Sequence, residues 1–228
     1  MWPKDDDCYL AILQMNTEVV VLTKAPIPGQ VKTRLIPAIG AKRAAELHWE
    51  MMWTTLDLVS QTNLPVRISL AGDETGCFTK ELHQAGYSTE TQASGDLGDR
   101  MSHIAQRPGR QILLGTDCVV FDPSWILRAA NSVEPISIGP SEDGGYWAVS
   151  LNGTHPDLIR LLFNDIHWST DTVFRTTRSR LTSAGVQFNL LPQSYDIDTI
   201  EDLKRLQQDP LCGPKLQQLL SSIFRTSL

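Results

Sequence analysis

Glu18-Val-Val-Val-Leu-Thr23 runs directly into Lys24-Ala-Pro-Ile-Pro-Gly-Gln-Val-Lys32-Thr-Arg34-Leu35. A short β-branched run that ends at Pro and Gly reads as a buried strand followed by a stiff loop. Working outward, residues 41–61 contain no Pro or Gly. Within them Leu47, Met51 and Leu58, with Met52, Leu56 and Val59, form one apolar helical face. Residues 65–71 read as a strand, 75–85 as a helix and 111–115 as a second apolar strand. Asp122-Pro123 marks the next helix start, an N-cap followed by Pro at the first position. Residues 136–139 and 146–151 are strands that flank a tight Asp143-Gly144-Gly145 turn. A helix over 171–184, a strand over 186–191, and helices from Thr199 and Lys215 close the chain. Strands that alternate with helices need crossovers. The expectation is a three-layer α/β fold: a mostly parallel sheet, helices on both faces, and a small antiparallel hairpin element at one side.

Composition bounds what such a fold can do. The 228 residues are 41% hydrophobic and 20% charged, a globular balance with no low-complexity bias. The formal net charge of −6 argues against broad neutralisation of a nucleic acid backbone, so no nucleic-acid partner is expected. No apolar run approaches the roughly 18 residues of a membrane helix. Cys8, Cys77, Cys118 and Cys212 are far apart and form no CxxC pair. Neither zinc nor a disulfide framework is expected, and a cytoplasmic location is the default. Residues 1–17 read as an N-terminal extension, with Met15 as an alternative start, and residues 18–228 as a single domain.

In open α/β sheets ligands bind beyond the carboxyl ends of the strands. The loop after the first strand opens a segment that carries Lys24, Lys32, Arg34, Lys42 and Arg43 with no acid between Val19 and Ala45. In an acidic chain this is a local positive pocket suited to a diphosphate or triphosphate, with Pro26, Pro28 and Gly29 stiffening the loop. A solvated basic face is the alternative. The segment is not a Walker A loop, and GxGxxG is absent. Asp117, in Leu113-Leu114-Gly115-Thr116-Asp117-Cys118, sits at the end of an apolar strand. Asp122 is better placed to cap the following helix, which leaves Asp117 for a divalent metal. Asp196 and Asp198 follow a strand and could reach the same ion, yet Asp198 with Glu201 also reads as an acidic capping box. Glu142-Asp143-Gly144-Gly145-Tyr146 is turn chemistry first. It also lets backbone approach a sugar or acceptor, with Asp143 as a general base. No histidine has metal-ligand spacing, and no Ser/His/Asp pattern suggests a hydrolase. Phe121, Trp125, Trp49 and Trp53 read as packing.

In this order, KAPIPGQVKTRL, GDLGDRM (Gly95–Met101), LLGTDC, GPSEDGGY and DIDTIEDL resemble a bacterial family of GT-A-type glycosyltransferases, some assigned to arsenosugar biosynthesis. More distantly the chain is similar to 2-phospholactate and molybdenum-cofactor guanylyltransferases, which share a nucleotide-diphospho-sugar transferase fold. The match spans about residues 18–206. The resemblance implies a nucleotide clamped by the first loop, with Lys24, Gly29, Lys32 and Arg34 around its phosphates. It implies Mg²⁺ or Mn²⁺ on Asp117 and Asp198, and an acceptor pocket at Asp143, Gly144, Gly145 and Tyr146. Val119 departs from the family, where Pro usually follows Asp-Cys. The expected activity is metal-dependent transfer of a sugar from a nucleotide sugar to a small-molecule acceptor. The alternative is nucleotidyl transfer from an NTP with release of pyrophosphate; a non-catalytic nucleotide-binding module is a third reading.

Overall fold

The computed structural model of the protein describes residues 17–152 and 155–225. The expected extension and the alternative start at Met15 lie outside these residues, except Thr17, which opens the first strand. The strands are β1 (Thr17–Lys24), β2 (Val66–Ala71), β3 (Ser88–Thr91), β4 (Arg110–Gly115), β5 (Ile136–Pro140), β6 (Tyr146–Asn152) and β7 (Phe188–Leu190). After a 3₁₀ turn at Thr33–Leu35, the helices begin with α1 (Ile36–Ile39), α2 (Ala41–Ser60), α3 (Cys77–Gln84) and α4 (Leu97–Ala105). They continue as α5 (Pro123–Ala130), α6 (Pro156–Phe163), α7 (Val173–Ser183), α8 (Ile200–Gln208) and α9 (Pro214–Arg225).

The sheet order is β3-β2-β1-β4-β6-β5-β7. β1 pairs in parallel with β2 and β4, bringing Val19 opposite Val66 and Ile112. Among the described strands only β6 runs against the rest, paired with β4 on one side and β5 on the other. The antiparallel hairpin thus lies toward one side of the sheet, as expected, but not at its edge: β7 pairs with β5 beyond it, and the reversed strand β6 is interior. Burial explains this. Residues 147–151 of β6 are buried on both faces, so the strand needs partners on both sides and helices above and below. The short polar β3 takes an edge instead, with none of its residues fully buried.

The two-residue period of β1 sends alternate side chains to opposite layers. Val19 and Val21 join Ile68, Ile112, Leu114, Met52, Leu56, Phe121 and Ile126 beneath α2 and α5. Val20 faces the other way, with Leu113, Val149, Met101, Ile104, Ile159 and Leu181 beneath α4, α6 and α7. A third cluster, including Leu35, Leu47, Met51, Leu203, Leu216 and Leu220, clamps the C-terminal helices onto α1 and α2. Trp49 and Trp53 meet edge to face at 5.6 Å, and Phe121 stacks on Trp147 at 5.2 Å. These aromatics are core packing, as their spacing predicted. Among the described residues no helix is long and apolar enough to cross a membrane.

Candidate active site

The carboxyl ends of β1 and β4, the start of β6 and the segment after β7 border one cleft of about 470 Å³. One lip carries Lys24, Lys32, Arg34, Asp117 and Asp198. The other carries Leu97, Arg100 and Met101 of α4 with Tyr146 and Trp168. Because α2 and α4 cover opposite faces of the sheet, the two lips belong to different layers of the fold.

Lys32 is the knot of the first lip. It has a left-handed backbone (φ 47°) where the 3₁₀ turn begins, an uncommon state for a non-glycine residue. Its ammonium lies 2.5 Å from Asp117 Oδ1 and 3.4 Å from Asp198 Oδ1, and donates to the Ile197 carbonyl at 2.6 Å. Only 3% of the side chain is exposed, against 58% for Asp117 and 40% for Asp198. Arg34 donates to Asp198 Oδ2 at 3.0 Å and is otherwise largely exposed. The structure thus brings together Lys32, Arg34, Asp117 and Asp198, but as ion pairs with one another. Burial works to raise the Asp117 pKa, yet the adjacent Lys32 ammonium outweighs it and holds the carboxyl below the ordinary range. Lys24 lines the cleft, and among the described residues its ammonium has no partner, whereas Gly29, at φ 88°, shapes the loop outside the cleft wall.

Asp198 does not cap the helix that follows. The capping box is set one residue later, where Thr199 accepts from the Asp202 amide and Asp202 accepts from the Thr199 amide at 2.7 Å. Asp196, two residues before Asp198, also lines the cleft. Its Oδ2 accepts from Ser141 Oγ at 2.7 Å. Burial pushes its pKa up to about 7; the charges of Asp143 and Asp117 add to the rise, while the Ser141 hydrogen bond works against it.

Asp143 and Gly145 line the cleft, and Asp143 Oδ1 accepts from the Gly145 amide at 2.9 Å. Gly144 turns away. Its φ is 89°, a Cβ there would overlap the Asp171 carbonyl, and its own carbonyl accepts from the Phe174 amide at 2.8 Å. That glycine serves the packing of α7 against the turn. The Tyr146 hydroxyl is buried, so the residue offers the cleft its ring. Glu142 is taken by Arg205 in a bidentate pair at 2.7 and 2.9 Å.

The cleft wall holds three further residues that the sequence patterns do not assign to a site, and it adds Asp196 to the carboxylates beside Asp117. His48 sits on α2, with Nε2 3.0 Å from the Lys24 carbonyl, so the proton belongs on that nitrogen. Nδ1 is buried, with no hydrogen-bond partner among the described residues. Burial lowers its pKa, against the Lys24 hydrogen bond and the Asp117 charge, so the ring is neutral at pH 7. Gln92 and Arg100 complete the set; of these two, Arg100 lies in the Gly95–Met101 segment singled out in the sequence. The Cys118 thiol, next to Asp117, is buried and pushed up to about 12, which removes it as a nucleophile.

A divalent cation fits this donor set in a limited way. Among the described residues no group of three or more acidic, His or Cys side chains is gathered to cage an ion. Among the described residues no group bonds the second oxygen of Asp117; more than half its side chain is exposed, and Asp117 and Asp196 act on each other electrostatically. One or two carboxylates, completed by substrate oxygens, is how Mg²⁺ is held beside a nucleotide. Both oxygens of Asp198 are occupied by Lys32 and Arg34.

Residues 55–170 match the family model described as "Uncharacterized protein conserved in bacteria (DUF2064)". No curated protein is significantly similar in sequence. A protein of Desulfovibrio desulfuricans G20, provisionally assigned as a nucleotide-diphospho-sugar transferase, superposes with a TM-score of 0.80 at 24% identity, over 93% of this chain and 98% of that one. A nucleotidyl transferase from Methanothermobacter thermautotroptrophicus gives 0.56 at 12% identity, over 92% and 98%. The inositol-1-phosphate CTP transferase of T. maritima gives 0.53 at 16%, over 90% and 95%. The fold is that of nucleotide-diphospho-sugar transferases.

Proposed function

The chain belongs to the DUF2064 family of proteins conserved in bacteria, and from that premise we propose that it is a metal-dependent glycosyltransferase using a nucleotide-sugar donor. The observation that carries this proposal is Asp117: a carboxylate at the end of β4, with one oxygen free, facing a cleft with cations on both lips. Asp117 would hold Mg²⁺ or Mn²⁺. Asp196 is near enough to bear on it, and Asp198 becomes available if substrate phosphates draw Lys32 and Arg34 away. A bound divalent cation supplies charge against the diphosphate as it leaves.

The chain's own groups do the rest. Lys24 meets phosphate oxygens from the end of β1, and Lys32 and Arg34 are the cations that exchange carboxylate for phosphate. A preorganised charge aimed at a leaving group is worth about 10²–10³ in rate. Asp143, pinned through Oδ1 by the Gly145 amide, keeps Oδ2 for the acceptor hydroxyl and takes its proton. The acceptor lies against Gly145 and the Tyr146 ring.

The same cleft could serve nucleotidyl transfer, and the products separate the two reactions. The test is a thermal-shift panel of nucleoside triphosphates and nucleotide sugars with and without Mn²⁺, followed by product analysis with the ligand that binds. A ligand at about 100 times its Kd stabilises by roughly 2.7 kcal/mol, about 5–10 °C for a domain of this size. A Mn²⁺-dependent shift with a nucleotide sugar, then release of a nucleoside diphosphate, supports sugar transfer. Pyrophosphate from a triphosphate moves the assignment to nucleotidyl transfer. Asp117→Asn is expected to stay folded and lose metal-dependent turnover; full activity in that variant would remove Asp117 from the site.

A further inference from the structure

Within Gly95–Met101, nearly every residue has a structural use. Asp96 and Asp99 form the capping box of α4. A Cβ on Gly95 would collide with the Asp99 carboxylate, and one on Gly98 would come within 2.5 Å of Trp168 Nε1 and 2.6 Å of the Phe163 carbonyl. Met101 is buried in the core. Arg100 remains, half-buried in the cleft wall.

Its guanidinium is held by neutral acceptors. Nε donates to the Gly95 carbonyl at 3.1 Å and Nη1 to Gln92 Oε1 at 3.2 Å. Among the described residues no carboxylate forms an ion pair with it, and Nη2 has no partner. Gln92 is itself fixed, because its Nε2 donates to the Thr23 carbonyl at 2.9 Å and to the Ser69 carbonyl at 2.8 Å. Both amide hydrogens are thus spent on the ends of β1 and β2, which turns Oε1 toward Arg100. A glutamine tied to two strands and holding a guanidinium orients it without neutralising it. Thr23 is followed by Lys24, exposed and likewise without a carboxylate partner among the described residues. Lys32 and Arg34, by contrast, already hold Asp117 and Asp198.

We infer that Arg100, oriented by Gln92, binds the phosphate chain of the cleft's ligand from the lip opposite Asp117 and Lys24. A guanidinium with unused N–H groups suits two phosphate oxygens at once, which an ammonium in its place could not match. The inference rests on the nucleotide-dependent function proposed above, and its test separates the two.

The experiment is calorimetric titration of the full chain with inorganic pyrophosphate, and with UDP, GDP and ADP, in the presence and absence of Mn²⁺. It uses wild type, Arg100→Gln and Arg100→Lys, with the unliganded Tm of each. Arg100→Gln is expected to weaken pyrophosphate and nucleoside diphosphate binding at least tenfold at nearly unchanged Tm. Arg100→Lys, which keeps the charge but not the fork, is expected to fall between. If Arg100→Gln fails to fold, the comparison of wild type with Arg100→Lys decides. Equal affinity in all folded variants overturns the role of Arg100. Arg100-dependent pyrophosphate binding without any nucleotide binding keeps the anion site and removes the transferase proposal. Nucleotide binding indifferent to Arg100 does the reverse, and a wild type that binds neither removes both.

Discussion

Lys32 changes meaning once its surroundings are known. From sequence it is a phosphate ligand, but in the unliganded fold it is buried between two carboxylates and a carbonyl. Lys32→Met would leave Asp117 and Asp198 facing each other without the ammonium. Both carboxylates are substantially solvent-exposed, so water screens much of that penalty. We expect a loss of about 1–3 kcal/mol, read as a Tm lower by roughly 3–10 °C. An unchanged Tm would show that the three side chains do not hold the lip together. His48 gives a second test at this scale. Its pKa is lowered by burial, so below about pH 6.5 the unfolded chain binds a proton that the folded chain refuses. Stability must then fall with falling pH, by at most about 1.4 kcal/mol per unit. His48→Gln keeps a donor for the Lys24 carbonyl and loses the titration. Denaturant unfolding of both proteins at pH 7.5 and 5.5 should show the wild type losing more; parallel losses would contradict the buried neutral ring.

Glycines in two elements act through what they let come near. Gly144 places the β5–β6 turn against the segment leading into α7, and Gly98 lets the Trp168 indole lie on α4. Gly144→Ala combines a strained φ of 89° with overlap onto the Asp171 backbone, which no side-chain rotation can relieve. The expected cost is about 2–4 kcal/mol, measured by chemical denaturation. Because Asp143 sits on the same turn, activity at permissive temperature should fall with it. Gly145→Ala is the contrast, since a Cβ there meets the Asp143 side chain at 3.1 Å. Equal stability of wild type and Gly144→Ala would mean the turn is not packed as described. The capping box at Thr199–Asp202 belongs to this scale as well, because it frees Asp198 from helix capping and leaves it to the cations of the first lip.

Across the whole molecule, the sheet is most deeply covered at its middle. β1, β4 and β6 lie between helical layers, whereas β3 and β7 are short edge strands of 4 and 3 residues. Amide hydrogen exchange should therefore be slowest in β1, β4 and β6, where opening approaches global unfolding, and fastest among strands in β3 and β7. Protection of β3 equal to that of β4 would refute this gradient. Asp117 follows β4 and Lys24 ends β1, so both anchor to the most rigid strands. Trp168 and Asp198 come from connecting segments at the rim.

Much of this architecture is legible in the linear order of residues. The β-branched run at 18–23, the Pro- and Gly-free stretch at 41–61 and the cap at Asp122-Pro123 each satisfy local rules of period and capping, so strands, helices and their alternation follow from neighbours in the chain. The position of Asp117 is legible for the same reason, since a carboxylate ending an apolar strand falls at the carboxyl edge of the sheet, where it lines the cleft. The place of β6 is not, because whether a strand lies inside or at the edge of a sheet depends on which distant segments bury both its faces. Nor is the use of each charge. That Lys32 spends its ammonium on Asp117 and Asp198, that Asp196 lies within reach of the Asp117 charge, and that Thr23 and Ser69 fix the Gln92 that holds Arg100 are pairings between residues far apart in the chain. Local propensity is written residue by residue, whereas electrostatic partnership exists only after distant loops have been brought to one cleft.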